Sequence, residues 1–311
     1  MTSTLVTSPV KLLAAAPRTL TPLALGAAVL AFIVPSGALA ERSDLLLALL
    51  VLATALGIPW SELAGLRRHA GAVTVLSVAP LVVLTAVAWA LGRPFGADVR
   101  DGLLAVGLSS SEVASVGLTA LAGADATIAL GAVTGSLVLA ALLGPVAIGA
   151  LAGHAGHAGH GGAGHLLIRF ALVVIVPLAA GVVIRSIPAA ARRLEARDDE
   201  RDGIAALAVA ALVYAALSGT RGAHGLGAAA LAGALFLAVS AVFGAAWRRR
   251  QAGSATAVPG ALAIAMRDFA VAAALASQAF GNRAAAVPGV YGVLMLLAGS
   301  AFVARTRRAK R

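Results

Sequence analysis

Gly107-Leu108-Ser109-Ser110-Ser111-Glu112-Val113-Ala114-Ser115 lies inside a long apolar run, and its reading decides the fold. A charged side chain at mid-bilayer costs roughly 2.5–3.5 kcal/mol on insertion scales, so a residue such as Glu112 belongs to a bundle interior or a water-filled path. Three successive serines bring hydroxyls that compete for backbone hydrogen bonds and permit a local break in a helix. A second interruption, marked by charge rather than serine, reads Pro259-Gly260-Ala261-Leu262-Ala263-Ile264-Ala265-Met266-Arg267-Asp268-Phe269-Ala270.

The surroundings of both stretches are those of a membrane protein. The 311 residues are 60% hydrophobic and 12% charged, with a mean hydropathy of +0.95, outside the range of a soluble domain. Alanine, glycine, valine and leucine dominate and aromatics are few, so helices can approach closely through small residues. The formal net charge of +11 does not indicate nucleic-acid binding, because the basic residues flank apolar runs instead of forming a face interleaved with aromatics. Cysteine is absent, which excludes disulfides, thiolate metal sites and cysteine nucleophiles.

Runs near the ~20 residues needed to cross the hydrocarbon core occur at about 19–39, 44–62, 70–92, 102–122, 124–151, 166–187, 202–219, 225–247, 258–280 and 284–304. The fold class expected is therefore all-α and polytopic, with about ten transmembrane helices. Lys11-, Arg18-, Arg67-, Arg68-, Arg185-, Arg192-, Arg193-, Arg197-, Arg201-, Arg248-, Arg249- and Arg250-bearing segments and the tail fall on one side, with seventeen Lys and Arg against six opposite. The positive-inside rule then puts both termini in the cytoplasm of a multi-pass protein of the plasma membrane. The run ending Ser36-Gly37-Ala38-Leu39-Ala40 also has the small residues of a signal-peptidase site, but a second apolar segment follows at once and favours a first transmembrane helix. Arg192 to Asp202 is expected to be a solvated cytoplasmic connector.

The two halves align. Ser111-Glu112-Val113-Ala114 falls over Arg267-Asp268-Phe269-Ala270 at a separation of 156 residues, so each half contributes one acid at the matching point. Corresponding interrupted helices in two repeats point to a transporter site at the repeat interface. The division expected is a first five-helix repeat at 1–152, a Gly/His-rich outer loop at 153–165, a second repeat at 166–305 and a basic cytoplasmic tail at 306–311. In that loop His154, His157, His160 and His165 have spacings that suit Zn, Cu or Ni, although the flanking glycines leave them no preorganised geometry. No other metal site and no cofactor is expected.

The stretch from Ala114 through Ser115-Val116-Gly117-Leu118-Thr119 to Ala124-Asp125-Ala126-Thr127, continuing to Thr134, Ser136 and Gly144-Pro145, resembles a crossover motif of the bile acid:sodium symporter family. That family belongs to a larger group with the arsenite-efflux permeases. Met266-Arg267-Asp268-Phe269-Ala270, with Leu275-Ala276, Phe280-Gly281 and Ala286-Val287-Pro288-Gly289, is similar to its second-half motif. The resemblance implies two inverted five-helix repeats, a core crossing at discontinuous helices four and nine, and uptake of organic anions driven by sodium. It also implies a binding site drawn from Ser109, Ser110, Ser111, Glu112, Ser115, Thr119, Thr134, Ser136, Met266, Arg267 and Asp268. The chain departs from the motif where the family supplies sodium ligands: Val116 replaces an amide, Ala263 an acid, and Arg267 and Asp268 stand for Gln and Asn.

Sodium requires several hard oxygens, so these replacements remove ligands and add repulsion. The coupling ion is then sodium or a proton, with Arg267 in the role of a tethered cation and Glu112 or Asp268 as proton carrier. The partners expected are a small organic anion and the lipid bilayer. Arg267 bridging to Asp268 or Glu112 is the structural alternative to substrate contact. An enzyme is not indicated, because no intramembrane Ser–His, Ser–Lys or paired-aspartate constellation is present. An efflux permease and a channel are the competing functions; the former's arsenite branch relies on a cysteine that this chain lacks, and a channel would more often show a pore loop or rings of charge.

Overall fold

A computed structural model describes residues 20–57, 65–151, 162–218 and 225–308. Their regular structure is helical, with no strand among the described residues. The helices are α1 (Leu20–Ile33), α2 (Ser43–Leu56), α3 (Ala70–Gly92), α4 (Ala97–Leu108), α5 (Ala114–Leu121), α6 (Ala126–Leu151) and α7 (Gly162–Ser186). There follow α8 (Pro188–Glu195), α9 (Asp198–Ser218), α10 (Leu226–Arg250), α11 (Ala257–Ala265), α12 (Phe269–Phe280) and α13 (Ala286–Arg308). One further turn, Gly37–Ala40, lies between α1 and α2, and a 3-10 turn at Leu66–His69 leads into α3.

Among the described residues, five segments are long and apolar enough to cross a membrane: Leu66–Gly92, Ala126–Leu151, Gly164–Ser186, Asp198–Ser218 and Leu226–Arg250. Shorter apolar helices lie at Pro22–Ile33, Ser43–Leu56, Phe269–Phe280 and Ala286–Phe302. The ends follow local chemistry. α1 stops at Ile33, two residues before Pro35, because the residue preceding a proline is driven out of helical geometry. Pro80, Pro145 and Pro177 lie inside α3, α6 and α7, where neighbouring helices supply the packing that tolerates them.

The connector expected at Arg192 to Asp202 is in large part helical. α8 opens on Pro188 at its first turn, and α9 begins at Asp198 with Asp198, Asp199 and Glu200 against its positive end. Arg185 is buried there, donating to the Ala191 carbonyl and pairing with Glu195 at 3.3 Å.

Two groups of helices result. α1, α2, α7 and α9 pack on one another, and α3 to α6 with α10 to α13 surround the two interrupted segments. Asp44 at the start of α2 ties the groups at one end, accepting from Arg169 of α7 at 2.8 Å and from the Gln278 amide of α12 at 2.6 Å. Small residues permit the tight packing. A Cβ on Gly107 would lie 2.7 Å from the Ala88 Cβ and 2.9 Å from the Leu84 carbonyl oxygen, so only glycine lets the end of α4 seat against α3. Gly292 of α13 plays the same part under the Phe269 ring at the start of α12.

Candidate crossover site

α4 ends at Leu108 and the chain resumes as helix at Ala114; α11 ends at Ala265 and α12 begins at Phe269. Between them Ser109, Met266 and Asp268 have extended backbone. The two extended segments pass each other antiparallel, with Ser111 paired to Arg267. The Glu112 N–H donates to the Met266 carbonyl at 3.0 Å, and the Asp268 N–H donates to the Ser110 carbonyl at 2.8 Å. Backbone freed by the helix breaks is thereby satisfied inside the bundle, as a low-dielectric surrounding demands.

Side chains complete the crossing. The Ser109 hydroxyl donates to the Val106 carbonyl at 2.8 Å, closing the end of α4. Ser111 donates from its hydroxyl to the Ala263 carbonyl at 2.9 Å, and its N–H donates to the Ser136 hydroxyl on α6 at 2.9 Å. On the other strand the Arg267 N–H donates to the Tyr291 hydroxyl on α13 at 3.0 Å, and that hydroxyl donates to the Ala265 carbonyl at 3.3 Å. The Ser240 hydroxyl of α10 lies 3.2 Å from the same carbonyl. The Tyr291 ring stands edge-on to Phe236, with centroids 5.8 Å apart.

The three charged residues are all buried, and each meets a helix end of opposite sign. The Asp268 carboxylate caps α12, accepting from the Ala270 and Val271 N–H groups at 2.9 Å each, and the Ser110 hydroxyl donates to it at 3.4 Å. Glu112 accepts from the Ala114 N–H at the start of α5 at 3.4 Å through one oxygen, while its other oxygen, Oε2, has no partner among the described residues. Arg267 is 0% exposed, and its Nη2 donates to the Gly107 carbonyl at 3.2 Å, near the negative end of α4. Its Nε and Nη1 have no partner among the described residues.

The internal salt bridge weighed for Arg267 is not formed: among the described residues its side chain donates to a carbonyl, and no ion pair includes it. The acids are turned toward helix N-termini instead, Asp268 toward the Ala270 and Val271 N–H groups and Glu112 toward the Ala114 N–H.

The remaining expected residues lie one step away. Ser115, on the first turn of α5, donates its N–H to the Glu112 carbonyl at 3.0 Å, and its buried hydroxyl has no partner. Thr119 returns its hydroxyl to the Ser115 carbonyl at 2.7 Å. Thr134 on α6 has a buried hydroxyl without a partner and no bond to the crossing. Met266 is buried, and its side chain borders an apolar cavity of about 550 Å³ between α10 and α13.

Of the candidate metal ligands, His154, His157 and His160 lie outside the described residues, and His165 is exposed on α7. No group of three metal-ligating side chains occurs among the described residues. Tyr291 and Ser240 are site residues that sequence reasoning missed; Tyr291 is one of two tyrosines in the chain, set in an apolar span, and its hydroxyl was the available signal.

These features define a multi-pass helical membrane protein with a polar crossing of two interrupted helices in its interior. The profile of the Sodium Bile acid symporter family matches residues 44–222, more than half of the 311, and the chain belongs to that family of transporters. The match includes the first crossing segment and ends before the second. No curated protein gives a significant match.

Proposed function

We propose that the protein is a secondary active transporter of a small organic anion, built as two inverted five-helix repeats and working by alternating access at the crossing of residues 109–113 and 266–268. The observation that carries this reading is that the hydrogen bonds of the crossing map onto one another under a shift of 156 residues. Glu112 N–H to Met266 carbonyl becomes Asp268 N–H to Ser110 carbonyl. Ser111 Oγ to Ala263 carbonyl becomes Arg267 Nη2 to Gly107 carbonyl. Helix packing supports the same relation: α1 on α9 answers α7 on α2, α3 on α4 answers α10 on α11, and α6 on α3 answers α13 on α10.

α4, with its twelve residues, spans about 18 Å at 1.5 Å per residue, over half of a ~30 Å hydrocarbon core. That length supports a crossing near the membrane midplane, where inverted-repeat transporters carry their sites. The unpartnered Nε and Nη1 of Arg267 are suited to a carboxylate or similar anion. The basic side of the chain, Arg248 to Arg250 included, supports cytoplasmic termini in the plasma membrane.

Coupling follows from the donor set. With Val116, Ala263 and Arg267 at positions where sodium would need oxygens, Arg267 serves as the fixed cation, and Glu112, through its unpartnered Oε2, carries a proton. Thermal-shift screening of the purified protein against organic acids, repeated with Arg267→Ala, tests the anchor. Stabilisation of the native chain alone supports it; equal stabilisation of both removes Arg267 from substrate binding.

A further inference from the structure

The last turns of α10 carry Arg248, Arg249 and Arg250 between two apolar grooves that the crossing does not use. The first is the cavity of about 550 Å³ between α10 and α13, walled by Leu237, Ala241, Ala245, Met295 and Phe302, with Arg248 and Arg249 at its rim. The second, about 270 Å³, lies on the opposite side of α10 against α3, walled by Val75, Val83, Phe243 and Ile264, with Arg250 and Trp247 at its rim. Val75, Val83 and Phe243 are exposed large hydrophobics.

We propose that these grooves and the arginine cluster form a binding site for an anionic phospholipid, its headgroup phosphate on Arg248 to Arg250 and its acyl chains in the grooves on either side of α10. The dimensions fit one leaflet. From Leu237 to Arg248 the helix rises about 16 Å at 1.5 Å per residue, close to half of the ~30 Å hydrocarbon core, so the grooves run from headgroup level to the depth of Met266. The charges are available: none of the three arginines pairs with a carboxylate among the described residues, and Arg248 lies over the Phe302 ring at 5.6 Å, at the mouth of the first groove. Trp247 at the same level donates its indole N–H to the Thr256 carbonyl at 3.0 Å, the placement of an interfacial anchor. A helix C-terminus alone accounts for cations at this point, but not for apolar grooves on both flanks; basic pockets between transmembrane helices are sites for anionic headgroups.

The test does not depend on the transport reading. The full chain in neutral detergent micelles receives phosphatidylglycerol, phosphatidylcholine or free glycerophosphate, and its thermal midpoint is read. Phosphatidylglycerol raises the midpoint by several degrees over phosphatidylcholine, and glycerophosphate alone does not. The Arg248→Gln/Arg249→Gln/Arg250→Gln variant keeps its midpoint in phosphatidylcholine and loses the increment, as does Ala241→Phe, which fills the first groove. Arg192→Gln/Arg193→Gln, a basic pair away from the grooves, retains it. An increment that survives the triple substitution, that glycerophosphate reproduces, or that Arg192→Gln/Arg193→Gln also abolishes, overturns the proposal.

Discussion

Ser111 pairs antiparallel with Arg267 at the crossing, and each uses its side chain to hold a carbonyl near the end of the helix across from it, Ala263 of α11 for Ser111 and Gly107 of α4 for Arg267. The pair is equivalent by position and unlike in chemistry. A hydroxyl fully satisfies itself there, whereas a guanidinium has donors left over. Under the proposed function, the leftover donors make Arg267 the anion-facing member of the pair.

Arg267→Met separates structure from function. Replacing a buried charge that lacks a carboxylate partner by an apolar side chain of similar length is expected to leave stability unchanged or to raise it by about 1–4 kcal/mol. Anion uptake is expected to be lost. Chemical denaturation alongside uptake measures both, and a collapse in stability would assign Arg267 a mainly structural role.

Tyr291→Phe retains the ring contact with Phe236 but leaves the Arg267 N–H without an acceptor in a buried place. The expected cost is about 1–3 kcal/mol of stability, with slower transport because the second crossing segment loses its tether. Ser136→Ala removes the equivalent acceptor from Ser111 and is expected to act the same way. Denaturation midpoints of both variants, compared with Ser254→Ala, an exposed serine outside the crossing, check this.

Asp268 is expected to combine a cap with a charge, and two substitutions divide them. Asp268→Ala removes the acceptor for Ala270 and Val271 and is expected to cost about 0.5–2 kcal/mol. Asp268→Asn retains an oxygen that caps nearly as well, so a transport defect in this variant reports the charge. Equal loss of stability in both would contradict the assignment of the cap.

How far the sequence disclosed this site depended on the kind of interaction. The breaks at Ser109 to Val113 and Met266 to Asp268 were legible because consecutive hydroxyls and intramembrane charges are rare in apolar runs. Membership of the family was legible from the motif around Ala114 to Thr127. The direction of Arg267 was not, since its acceptor is a carbonyl at residue 107, made available by the end of another helix, and neighbouring acids in sequence suggested an ion pair instead. Tyr291 was missed because its role depends on the register of α13 against the crossing, which periodicity does not specify. The helical form of the solvated connector at Arg192 to Asp202 was not legible from its charge; Pro188 and the acidic first turn of α9 carry it.

Glu112→Gln addresses coupling. The substitution preserves an oxygen for the Ala114 N–H and removes the proton that Glu112 can release. Uptake driven by a proton gradient is expected to fall to the level without a gradient, while exchange of anion across the membrane at equal pH persists. Loss of exchange as well would mean that Glu112 supports the site itself.

The most direct test of the crossing as a sodium-independent anion site is uptake into proteoliposomes containing the purified chain, under imposed gradients of protons or sodium. Anion accumulation driven by the proton gradient in sodium-free buffer, abolished by Arg267→Met, is the predicted result. Accumulation that requires sodium and ignores the proton gradient would contradict it.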